Sequence, residues 1–398
     1  MNGKERIARA MRHELPDRVP VMCQLALGHY FINMRDRLKP HEIWFTSEGF
    51  AEALLTMRER YRFDGILINI PGRDPNWRAE VESIEETARG EWITFKSGLR
   101  VLVPPDDNAL LEPDDPTKAP HPDFMTFDPD RDLERVDEFP RYTWGIYHTP
   151  SLPGKAPGLL HDVPDYFPRT IRMVREAVGD TISIHGEIFS PFTHLMELFG
   201  YQNALMLLIM DAGRAAAILE RLVEPAIVWG LAQAAEGVDA VLISSAFAGG
   251  GFISPQMYEQ FVVPYERQVV EGIHAKYPDL PVYTHTCGKL GDRLELMLAT
   301  KTQGVDTLDP PPLGNTTLED AKARIGDKVF IKGNMNAVAI LDDDRERMAA
   351  RARHAVEVGK PGGGYILSTA CSVAPGVEPW KMEMLVDIAE EYGQYETD

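Results

Sequence analysis

Along the chain, short apolar and β-branched runs alternate with longer stretches whose apolar positions recur at helical spacing. The runs that read as strands are VPVMCQL (19–25), FDGILINI (63–70), TISIHGEI (181–188), VDAVLISSA (238–246), PVYTHTC (281–287), VDTLDP (305–310), KVFIKGN (328–334) and GYILSTAC (364–371). They are almost continuously apolar, as strands buried on both faces should be. Helical periodicity covers 47–61, 202–222, 254–277 and 342–359. Ser47 and Ser254 read as N-caps, and Pro255 takes the first helical position after the second. Eight strands alternating with helices in one series predict an α/β fold, a (β/α)8 TIM barrel spanning 1–398 as a single domain. A doubly wound open sheet is the rival, but no glycine fingerprint follows the first strand. AGGGF at 248–252 reads as a flexible βα loop, and the glycines at 362–364 precede a strand, the wrong side for cradling a phosphate.

One interval breaks the rhythm. Residues 71–180 lie between the second and third barrel strands, far more than one crossover needs. Within them EWITFKSGLRVLVP (91–104) reads as a β-hairpin turning at Lys-Ser-Gly, followed by a Pro- and Asp-rich stretch. An insertion after a barrel strand falls on the face where barrels carry their chemistry, so this segment is expected to be a lid or rim of the site. Its Trp77, Trp92, Phe124, Phe127, Tyr142, Trp144 and Tyr147 could enclose a ring or fill a subdomain core.

Composition narrows the classes. The 398 residues are 44% hydrophobic and carry 41 Lys and Arg against 61 Asp and Glu, a formal charge of −20. Such a surface does not suit nucleic acid. No apolar run reaches the roughly 18 residues of a membrane span. The opening segment lacks the apolar core of a signal peptide, so a cytoplasmic protein is expected. Three cysteines cannot form a disulfide framework, and a grouped pair is more readily a metal or reactive site. Nothing in one chain fixes the oligomeric state; a homo-oligomer is compatible with it.

The chemistry concentrates at strand ends. His285 and Cys287 lie two apart at the end of one strand, hence on one face, and Cys371 ends the last strand. All three should reach the C-terminal rim of the barrel. Two thiolates and an imidazole suit Zn²⁺ and leave a fourth position open. The same residues also read as two small buried hydrophobes and a hydrogen-bonded core histidine. Cys23, inside the first strand, reads as packing. His185 and Glu187 share a face of the third strand, where Glu187 could be a proton donor, a further metal ligand or a salt-bridged structural carboxylate. Gln24, Asn69, Asp309 and Asn334 end strands, and Tyr30 follows the first; each could bind substrate or serve loop capping and packing.

Nearly the whole chain resembles the uroporphyrinogen decarboxylase superfamily. The residues that carry the likeness are PDRVPV near the start, SPFTHLMELFGYQNALMLLIMD (190–211), ISPQMYEQFVVPY (253–265), IKGNMNAV (331–338) and GKPGGGYILSTACSVAPGVEPW (359–380). His-x-Cys late in the barrel with a Cys in the last strand resembles the zinc pattern of its corrinoid-linked methyltransferases, which implies metal ligands His285, Cys287 and Cys371. The resemblance implies methyl exchange between a small methylated substrate, leaning to an O-methyl and plausibly aromatic ether, and a corrinoid (cobalamin). No D-x-H-x-x-G corrinoid motif is visible, so a separate corrinoid protein is the expected partner. A methylcobalamin:thiol methyltransferase is the near alternative. A decarboxylase is the more distant one, because no Arg stands between Arg18 and Arg35 where a tetrapyrrole polycarboxylate would need cations. A non-catalytic corrinoid- or tetrapyrrole-binding protein ranks last.

Overall fold

The computed structural model describes residues 1–69, 72–111, 121–133 and 163–396; Tyr142, Trp144 and Tyr147 lie outside them. Eleven strands follow in chain order among these residues. They are β1 (Gly65–Ile68), β2 (Val81–Thr87), β3 (Gly90–Phe95), β4 (Arg100–Val103), β5 (Leu110–Leu111), β6 (Ser183–Phe189), β7 (Ala240–Ser244), β8 (Val282–Thr286), β9 (Gly304–Thr307), β10 (Phe330–Met335) and β11 (Tyr365–Thr369). Seven of them form one parallel sheet in the order β1-β6-β7-β8-β9-β10-β11. Consecutive strands are spatial neighbours throughout, and helices connect them, which is the (β/α)8 barrel expected.

The eighth stave differs from the sequence expectation. Residues 19–25 form no regular strand, only isolated parallel bridges from Val21 to Leu367 and from Leu25 to Val373. They nevertheless close the barrel. Met22 donates its N–H to Leu367, Leu367 donates to Pro20, and on the other edge Asp64 donates to Val21. The regular ladder fails because the Val21 N–H goes to the Asp64 side chain, at 2.8 Å, instead of to backbone. Asp64 is itself held by Arg6 and by Arg18, whose Nη1 lies 2.9 Å away, all three buried.

Inside the barrel the side chains stack in layers. Met22, Leu67, Ala240, Leu242, Tyr283, Phe330 and Ile366 pack together low in the lumen, and the helix Gly3–Met11 plugs that end with Ile7, Ala10 and Met11. A larger apolar cluster fills the space between strands and outer helices. The apolar floor leaves the opposite, C-terminal end for polar side chains.

Three helix expectations are corrected in detail. Thr46, not Ser47, caps the helix Ser47–Tyr61 by accepting the Gly49 N–H, while Ser47 Oγ accepts from Arg73 N. The 202–222 stretch is two helices parted at Asp211, whose carboxylate caps the second. The 254–277 stretch breaks at Val262, where Pro264, lacking an N–H, opens the helix Val263–His274.

Between β1 and β6, β2 to β5 form an antiparallel sheet in sequence order. Strands β3 and β4 pair with Thr94 opposite Arg100. Trp77 stacks on Phe45 at 5.0 Å, Phe45 meets Phe95 edge-on, and buried Glu91 accepts from His41, so this sheet is joined to the helix Pro40–Phe45. Among the described residues, no helix is long and apolar enough to cross a membrane.

Candidate metal centre at the barrel mouth

Parallel registry puts His285 of β8 beside Asp306 of β9, and Asp306 beside Lys332 of β10. Residues paired this way project to the same side, so the three form a row in the lumen. Cys287 follows His285 at the strand end and shares its side. Cys371 arrives from just beyond β11. The three candidate ligand atoms lie within 4.8 Å of one another. His285 Nε2 is 3.3 Å from Cys287 Sγ, which is 3.9 Å from Cys371 Sγ.

Local structure holds each ligand. After Cys287 the chain turns through Gly288, whose N–H donates to Asp309 Oδ2 at 2.7 Å; its φ of 83° favours glycine. The loop after β7 packs against this turn so closely that a Cβ on Gly249 would lie 2.1 Å from the Cys287 carbonyl oxygen. AGGGF is therefore a fitted support for a ligand-bearing turn, not the loose loop expected. Thr369 Oγ1 donates to the Cys371 carbonyl at 2.6 Å.

His285 is oriented through its other nitrogen. Nδ1 lies 3.1 Å from Asp306 Oδ2 and 2.7 Å from Thr307 Oγ1. With Nδ1–H donating to this pair, the Nε2 lone pair is directed at the sulfurs, the tautomer a metal requires. Thr307 and Leu308 have φ of 82° and 54°, uncommon for non-glycine residues, so the chain bears local strain as it leaves β9.

The electrostatics fit a cation. Burial pulls the His285 pKa down, but hydrogen bonds to Asp306 and Cys371 outweigh it and push the ring up to about 10. A hydrogen bond from Cys287 holds the Cys371 thiol well below its ordinary value, and the same contact with burial drives Cys287 up. The metal-free cluster thus gathers protons that an ion would displace. Geometry agrees: with Zn–S near 2.3 Å, a tetrahedral zinc spaces two sulfurs roughly 3.8 Å apart, whereas a disulfide needs about 2.05 Å.

Glu187 of β6 belongs to the same mouth. It faces Ser244 of β7, and Ser244 is in register with His285. Burial raises Glu187 to about 7, above the opposing effects of His285 and the Ser244 hydrogen bond. Gln233 Nε2 grips the Glu187 carbonyl at 2.8 Å through the gap left by Gly186, where a Cβ would meet Gln233 Oε1. His185 lies deeper, fully buried, with its nitrogens 3.1 Å from Ser183 Oγ and 2.8 Å from Tyr283 Oη; burial lowers its pKa to about 4.

The remaining expected residues divide. Asp309 lies against the Cys287 turn, its pKa raised by burial despite the Gly288 N–H. Asn334 Nδ2 donates to the Leu308 and Thr316 carbonyls, tying down the loop after β9. Gln24 accompanies the segment after Cys371 through a bond from Val373 N, and its buried Oε1 finds no donor among the described residues. Asn69 is half-buried just past β1. Tyr30 packs in the core, edge-on to Phe50, and Cys23 is core as expected. Asp306, Thr307 and Lys332 were not expected. A lysine and an aspartate inside apolar strands are a signal in themselves, because such charges are buried only when paired.

Comparison with known proteins places these features. The chain is 29% identical over 236 residues to the uroporphyrinogen decarboxylase of Thioalkalivibrio sulfidiphilus, covering 57% of this chain and 65% of that one, slightly under two thirds of its length. It is 26% identical over 269 residues to that of Tolumonas auensis, covering 64% and 72%. In three dimensions it is similar to a methyltransferase from Methanosarcina mazei, with a TM-score of 0.69, 18% identity, and coverage of 98% and 99%. Residues 157–392, well over half of the chain, match the family described as Uroporphyrinogen decarboxylase (URO-D). By that match, the chain belongs to the uroporphyrinogen decarboxylase family of (β/α)8-barrel enzymes.

Proposed function

We propose that this protein is a cytoplasmic, zinc-dependent methyltransferase that moves a methyl group between a small O-methylated substrate and a corrinoid carried by a partner protein. The observation that carries this reading is the convergence of His285, Cys287 and Cys371 within 4.8 Å at the barrel mouth. Held by these residues, zinc would supply a Lewis acid with an open coordination position. The corrinoid would supply the group that exchanges the methyl. The described residues of the 71–180 insertion are read as part of the single barrel domain and as a rim of this mouth.

The chain's own residues account for the rest. Asp306 and Thr307 hold the His285 ring with Nε2 forward. Glu187, whose pKa burial raises to about 7 and which therefore keeps a proton well above the usual carboxylate range, donates that proton to the oxygen that leaves when an ether loses its methyl group. His185 braces the β6 strand beneath it through Ser183 and Tyr283. Substrate binding is assigned to the strand-end positions Gln24, Asn69, Asp309 and Asn334, with Tyr30 packed behind them in the core.

A thiol acceptor is the second reading, supported by the two sulfur ligands, which soften the metal and keep a thiolate nucleophilic. It has less use for Glu187, since a thiolate needs no proton delivered. Decarboxylation, the activity named for the relatives, is opposed by the engagement of Arg18 with Asp64 at the base of the first stave. The protein should be incubated with cob(I)alamin and a panel of methyl ethers, methylamines and thiols, following cobalamin absorbance. Methylation by an ether supports the proposal; decarboxylation of a porphyrinogen that survives Cys371→Ala refutes it.

A further inference from the structure

Lys332 is an anomaly in the row beside the metal cluster. Its side chain is 1% exposed and Asp306 is 2% exposed, yet both carry charge. Lys332 Nζ stands 3.0 and 3.1 Å from the two Asp306 oxygens. Asp306 Oδ1 also accepts the Thr307 N–H at 2.9 Å, and Oδ2 faces His285 Nδ1 at 3.1 Å. Strand registry sets this order, one residue per strand across β8, β9 and β10. A lone buried charge is strongly unfavourable, and a buried ion pair is not in general a source of stability. The pair therefore calls for another reason to be there.

We propose that Lys332 and Asp306 form a charge-balanced brace that fixes His285 as the nitrogen donor, so that affinity for zinc depends on Lys332, a residue that touches no ligand atom. The inference rests on the metal reading above. Two thiolates neutralise a dication, so Asp306 alone would leave a net negative charge in the lumen, and Lys332 cancels it. Lys332 also clamps both carboxylate oxygens, which stops the carboxylate turning away from Nδ1. Asp306 and Lys332 are thus positioning residues. Partners of this kind, acting through a ligand, typically change metal affinity by about 10- to 100-fold.

The test uses the full chain as wild type, Lys332→Met, Asp306→Asn and the double variant, each stripped of metal. Zinc affinity is measured by competition with a chromophoric chelator, and the donor set by the absorption spectrum of the cobalt(II) form. Each single variant should bind zinc about 10- to 100-fold more weakly and show altered cobalt d–d bands. The double variant, free of unpaired buried charge, should recover the thermal stability of the metal-free wild type but remain at least about tenfold weaker for zinc. A folded double or Lys332→Met variant with wild-type affinity and spectrum overturns the proposal. Should the double variant not fold, the Lys332→Met cobalt spectrum decides by the same criterion. If the wild type binds no zinc, the metal reading itself fails and the brace falls with it.

Discussion

The sulfurs of Cys287 and Cys371 stand 3.9 Å apart although β8 and β11, which deliver them, are separated in the sheet by β9 and β10. Only the curvature of a closed barrel lets two such strand ends meet across the mouth. The cluster is thus a product of the whole fold, and its parts are tested separately below.

Barrel closure depends on Asp64, which accepts from Arg6, Arg18 and the Val21 N–H in a buried site. Asp64→Ala leaves two buried guanidinium groups without that partner and frees the irregular first stave. It should destabilise the protein by about 3–5 kcal/mol, read by urea unfolding. A loss below about 1 kcal/mol, the level of an exposed pair, would show that this cluster does not hold the stave.

Glu187 predicts a pH dependence. Burial raises its pKa to about 7, so it is protonated and able to donate below that value and is a carboxylate above it. Methyl transfer from an ether should fall about tenfold per pH unit on the alkaline side. Glu187→Gln should lower kcat by about 10²–10⁴ and abolish that limb. A variant that keeps the wild-type pH profile assigns the limb to another group.

Glu266, on the helix Val263–His274, is fully buried, and burial raises its pKa from an ordinary 4.5 to about 7 against a hydrogen bond from Ser245. The folded protein then holds a proton that the unfolded chain has released between those values. Stability should therefore be greatest below pH 4.5 as far as this group is concerned, fall as pH rises to about 7, and stay low above it. The cost at pH 8 is on the order of 3 kcal/mol. Glu266→Gln should remove this slope and be the more stable protein at pH 8. Parallel pH–stability curves for the two proteins would contradict it.

The barrel was legible because continuous apolar runs separated by helical periods leave little choice of architecture. His285, Cys287 and Cys371 were legible because strand alternation and strand ends fix side and height without knowledge of packing. Thr307, Asp306 and Lys332 were not, for different reasons. Thr307 brings its hydroxyl to His285 only through a backbone twist invisible in VDTLDP, whereas Asp306 and Lys332 leave a trace, a charge inside each buried strand, that a reading of strand ends alone does not use. The first stave is less regular than its apolar run implies because a side chain, Asp64, takes the place of a backbone acceptor. The break at Val262 was written in Pro264, two residues inside an apparently continuous period. The aromatic residues of the insertion that the structure describes, such as Trp77, serve packing as much as any pocket.

The most direct measurement is the zinc content of the purified protein beside its Cys287→Ala and Cys371→Ala variants. The metal reading predicts about one zinc per chain in the wild type, with each variant, still folded by circular dichroism, losing most of it. A wild type without zinc, or variants that retain it in full, would contradict the three-ligand centre.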